Sequence, residues 1–110
     1  MRLKNIAVLG TTIALSSSGA AAAELPRYDP PEYCETVSDV SGGSRMIYNG
    51  CIQMEQEAYD ALKSTWSTLS NRTKTYCDEV ARSSDSSYSI LKGCIDMESD
   101  ASSSTPGFKF

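Results

Sequence analysis

One short word occurs twice in this 110-residue chain: Gly50–Glu55 reads GCIQME and Gly93–Glu98 reads GCIDME, 43 residues apart. The four cysteines follow the same rule. Cys34 precedes Cys51 by 17 residues, and Cys77 precedes Cys94 by 17. Aligned without a gap, Tyr33–Ala58 and Tyr76–Ala101 are identical at 12 of 26 positions. A duplicated supersecondary unit therefore constrains the fold more than any other feature.

Each copy reads as helix, turn, helix. Ile47, Cys51, Met54, Ala58, Leu62 and Trp66 recur every three or four residues, as do Ile90, Cys94, Met97 and Ala101. That is helical periodicity rather than strand alternation. Asp29, followed by Pro30, Pro31 and Glu32, has the form of an N-cap with proline in the first turn. Ser70 is the candidate cap of the third helix. Gly42-Gly43 and Asp85-Ser86 are the turns, with Ser44 and Ser87 near the next helix starts. Helices are expected over 30–41, 44–67, 71–83 and 87–101. The fold class is all-α: two antiparallel helical hairpins in one domain over 24–101, with copies at 29–58 and 71–101 and a frayed tail over 102–110.

The midpoint of each cysteine pair falls in a turn, between residues 42 and 43 and between 85 and 86. In an antiparallel hairpin this sets Cys34 beside Cys51 and Cys77 beside Cys94, within disulfide reach. An even cysteine count in a short exported chain agrees. Gly50 and Gly93, beside the cysteines, suggest a close approach of backbones, because a mid-helix glycine otherwise costs about 1 kcal/mol. Inheritance through the duplication is the plainer alternative.

Export is read from residues 1–23. Arg2 and Lys4 precede an apolar stretch, Ile6–Leu15, and a run of small residues ending at Ala23. This is the layout of a cleaved secretory signal. The rival, a membrane anchor, is opposed by the hydroxyl and glycine residues within the run and by the lack of a basic stop signal after it. From Glu24 on, 14 acidic side chains face 8 basic ones. A net charge of about −6 argues against nucleic-acid or anionic-membrane partners. No membrane contact is expected after signal cleavage.

Candidate chemistry is sparse. Histidine is absent, which removes the commonest general base and metal ligand. Cys51 with Met54, and Cys94 with Met97, could offer soft sulfur to Cu(I) only if the thiols were reduced. With disulfides expected, no metal or cofactor is assigned and the methionines read as packing. Glu55 and Glu98 could be a carboxylate pair for acid–base work. The structural alternative places Glu55 at residue 30 and Glu98 at residue 73, where each would meet a helix N-terminus. Trp66 reads as a plug between the hairpins.

The repeat resembles a group of small, exported alpha-proteobacterial proteins of unknown function. Their pattern is C-x-x-V-A, then G-G-S-Y, then C-x-x-x-E-x-x-A, often twice. Cys34, Val37, Gly42-Gly43-Ser44, Cys51, Glu55 and Ala58 match in one copy. Cys77, Val80-Ala81, Ser87-Tyr88, Cys94, Glu98 and Ala101 match in the other. The resemblance implies export and fold, not an activity. The expected function is non-enzymatic contact with an unknown protein partner in the periplasm or outside the cell. The alternative is an acid-stress periplasmic chaperone of the HdeA type, because protonating 14 carboxylates would swing the charge from about −6 to about +8.

Overall fold

A computed structural model describes residues 24–110, so the expected signal segment, residues 1–23, lies outside the described residues. The described chain is all-helical: α1 (Pro30–Val40), α2 (Arg45–Thr65), a single 3-10 turn (Trp66–Thr68), α3 (Asn71–Arg82) and α4 (Tyr88–Ser103). Each α-helix starts at a side chain that accepts from a first-turn N–H: Asp29, Ser44, Ser70 and Ser87. At the α1–α2 turn, Gly42 and Gly43 both take φ of +78°, a region open to glycine at little cost. At the α3–α4 turn the same left-handed backbone is held by Asp85 (φ 69°) and Ser86 (φ 56°). The N–H groups of Gly43 and Ser86 close these turns on the carbonyls of Ser38 and Ala81.

The two hairpins are α1–α2 and α3–α4. Disulfides bridge Cys34 to Cys51 and Cys77 to Cys94, each with its Cα atoms 5.6 Å apart. Each bridge closes a short loop and contributes about 3 kcal/mol if it acts through the unfolded chain. The hairpins pack through the C-terminal half of α2 against the N-terminal half of α4. Ala58, Leu62 and Trp66 meet Tyr88, Leu91 and Ile95, with Cys77 and Ala81 of α3 beneath. Leu25 and Tyr28, from an extended N-terminal strap, pack on the edge of this core.

Three details depart from the sequence-based picture. α2 ends at Thr65, and Trp66 enters the core from the following 3-10 turn. Met54 and Met97 are exposed, not packed, since the buried stripe of α2 runs through Glu55 and that of α4 through Leu91 and Ile95. A Cβ placed on Gly50 or Gly93 meets nothing within 4 Å, so no close backbone approach requires glycine at either position. Gly50→Ala and Gly93→Ala should therefore each stabilise the protein by about 0.5–1 kcal/mol in denaturant unfolding. A loss of stability would restore the close-approach reading.

Candidate functional site

The side chain with the most demanding environment is Glu55, 1 % exposed, in the middle of α2. Burying a carboxylate is costly unless donors surround it. Here the donors come from the other hairpin. Ser87 Oγ donates to Glu55 Oε2 at 2.6 Å, Tyr88 N–H to Oε1 at 2.7 Å and Ser89 N–H to Oε2 at 3.1 Å. Ser87 Oγ in turn accepts from Ile90 N–H at 3.2 Å. The first three N–H groups of α4 are thus all satisfied, and the carboxylate sits at the positive end of that helix.

A helix N-terminus is the kind of partner expected for Glu55, but the helix is α4 and not α1. The reason lies in the α1 sequence. Glu55 does border a cleft beside Pro30 and Pro31. Two prolines present no N–H there, so α1 offers the carboxylate no donors in its first two positions. Glu98 does not repeat the arrangement. It lies in a shallow recess with Arg72 and Thr75, near the first turn of α3, but its carboxylate takes no hydrogen bond from described residues.

A second network fastens the strap to the α3–α4 hairpin. Tyr28 N–H donates to Tyr88 Oη at 2.8 Å, and Tyr88 Oη donates to the Pro26 carbonyl at 2.7 Å. Tyr28 Oη donates to Asp78 Oδ1 at 2.6 Å, and Arg82 Nε lies 3.1 Å from the same carboxylate. Tyr88 stacks obliquely between Tyr28 and Tyr59, at centroid distances of 4.7 and 4.9 Å. Burial, with the hydrogen bond to Asp78 and that residue's charge, pushes the Tyr28 phenol well above its ordinary range. Burial also raises Tyr88, against the lowering effect of the Tyr28 N–H.

Two clefts flank these networks. The first, about 410 Å³, lies between the strap and α2, lined by Arg27, Tyr28, Ile52 and Tyr59 among others. The second, about 420 Å³, is bordered by Trp66, Lys74 and Arg82. Trp66 is 5 % exposed, and its Nε1 has no hydrogen-bond partner among the described residues. Lys74 Nζ stands 5.7 Å from the centre of its ring. Cys34, Cys51, Cys77 and Cys94 are all oxidised, and no cluster of three metal-ligating side chains occurs among the described residues. Ser87 Oγ touches a carboxylate, but Ser87 is fully buried and its hydroxyl is committed to Glu55 and to the Ile90 N–H. The arrangement joins helices.

The strap network was invisible to periodicity because residues 25–28 are extended and too short to carry a pattern. The partner of Glu55 did leave a sequence signal, the two prolines at the start of α1. No family model, curated protein or solved structure matches this chain.

Two outcomes test the networks. Glu55→Gln keeps the shape but turns an amide N–H₂ toward N–H donors, and should cost about 2 kcal/mol, whereas Glu98→Gln should cost less than about 0.5 kcal/mol. Tyr28→Phe should lose about 1 kcal/mol at neutral pH. Because folding raises the Tyr28 pKa, its stabilisation is complete below the unfolded value near 10 and declines as pH rises beyond it. The gap in melting temperature between wild type and Tyr28→Phe should therefore narrow above about pH 10.

Proposed function

We propose that this chain is a non-enzymatic, exported helical protein that works by contact with another protein. The observation that carries this reading is the distribution of apolar side chains on a covalently stapled frame. Val40 is 84 % exposed, Met46 79 %, Met54 61 % and Met97 72 %. Exposed apolar groups on a frame held by two disulfides suit recognition, and methionine adapts to varied partner surfaces. The buried carboxylate is fully used in holding helices together, which favours contact over catalysis. Two disulfides, and no helix among the described residues long and apolar enough to cross a membrane, are compatible with a periplasmic or secreted location.

The acid-stress chaperone is the second reading. It draws support from the excess of carboxylates over basic side chains. Protonation of the 14 carboxylates in acid would swing the charge from about −6 to about +8, loosening the fold and exposing apolar faces.

Immobilised oxidised protein should retain a specific partner from a periplasmic extract, and Met46→Ser with Met97→Ser should reduce retention at least about tenfold. Retention that ignores these substitutions, or none, contradicts contact through these side chains. Suppression of client light scattering at about pH 3, absent at neutral pH, would favour the chaperone instead.

A further inference from the structure

The joint between the hairpins has two halves. One is a recess on α1–α2, and the other is the turn that fills it. The recess is lined by Asp29, Glu32, Tyr33 and Thr36, and the Asp85-Ser86 turn stands against it, leaving about 290 Å³. Just beyond that turn, the first N–H groups of α4 are taken by Glu55.

In the register of the aligned copies, 43 residues on, both halves recur and both are free. The positions equivalent to Asp29, Glu32, Tyr33, Thr36 and Glu55 are Arg72, Thr75, Tyr76, Glu79 and Glu98. These five side chains line one open recess of about 540 Å³, with no turn against it among the described residues. Tyr76 there is 50 % exposed. The turn equivalent to Asp85-Ser86 is Gly42-Gly43, which has the same left-handed backbone. It presents the start of α2, where Ser44 accepts from Ile47 N–H. The Arg45 and Met46 N–H groups have no hydrogen-bond partner among the described residues. Arg45 occupies the place held by Tyr88 in the filled joint, so this end adds a positive charge to the helix N-terminus.

We infer that the chain associates head to tail with a second copy of itself, the Gly42-Gly43-Ser44 turn of one molecule entering the Arg72–Tyr76–Glu98 recess of the next. Glu98 then takes the N–H groups of Arg45 and Met46 as Glu55 takes those of Tyr88 and Ser89. The Arg45 guanidinium, 3.6 Å from Glu35 within its own chain and exposed, comes to lie beside Glu98, as Tyr88 lies beside Glu55. The inference deepens and rests on the contact reading above, naming one partner. A second copy is the occupant because each molecule carries both unfilled halves of a joint it already makes internally. Such a contact is heterologous, so it leaves a free half at each end and can propagate. It is also weak. The positions equivalent to Leu62 and Trp66 are Thr105 and Lys109, beyond the end of α4. The apolar packing that backs the internal joint is therefore missing, and a dissociation constant of about 0.1 mM is expected.

Sedimentation velocity of the purified, oxidised protein, from about 5 µM to 1 mM, tests this. The weight-average sedimentation coefficient should rise with concentration. Glu98→Lys, which cannot accept the Arg45 and Met46 N–H groups, and Arg45→Glu, which sets a carboxylate against Glu98, should each weaken association at least about tenfold without lowering the melting temperature. A chain monomeric at 1 mM, or association indifferent to Glu98→Lys or to Arg45→Glu, would overturn the inference. A monomer that still captures another protein overturns self-association alone and leaves the contact reading intact. Self-association with no other protein captured supports the inference and limits the contact to copies of this chain.

Discussion

The fold turns on one carboxylate. Glu55 lies where an apolar side chain would be expected, at the centre of α2, and meets the start of a helix in the other hairpin. Disulfides fix each hairpin internally but neither bridge crosses between them. The relation between hairpins rests on the Leu62, Trp66, Tyr88, Leu91 and Ile95 core and on the Glu55 contacts that give that core its register. Apolar packing tolerates small slides, whereas three hydrogen bonds to one carboxylate do not. The Tyr28–Tyr88–Pro26 bonds then draw the strap over the same junction.

Much of this was legible in the residues. The equal 17-residue spacing of cysteines about Gly42-Gly43 and Asp85-Ser86 leads to both disulfide pairs. The caps Asp29 and Ser70 can be read from residue type and position, and Ser44 and Ser87, expected near the helix starts, prove to be the other two. What escaped was tertiary. Periodicity assigned Met54 to the core because it sits three residues after Cys51, but Glu55, one position on, took that place by finding donors. Hairpin symmetry pointed Glu55 along its own hairpin, toward residue 30, since sequence spacing relates only neighbours within a copy. The absence of N–H groups on Pro30 and Pro31 was the available clue. Gly50 and Gly93 misled for the opposite reason: a recurring residue suggested a constraint where the backbone has open space.

The two copies have diverged where the internal joint demands it. Tyr88 and Leu91, buried against α2, stand at the positions of Arg45 and Tyr48, which remain at the surface or half-buried. Glu55 and Glu98 are the same residue in the same local word, yet only one is buried. Their difference lies in what the rest of the chain brings to them, so the recurring word is a helix joint whose use depends on a neighbour.

Amide hydrogen exchange at the two helix starts tests the central claim most directly. First-turn amides of a helix normally exchange freely because they lack intrahelical partners. If Glu55 holds α4 as described, the Tyr88 and Ser89 amides will be protected close to the level of global unfolding, while those of Arg45 and Met46 in dilute protein exchange nearly as in an open chain. Equal, rapid exchange at all four amides would contradict the account.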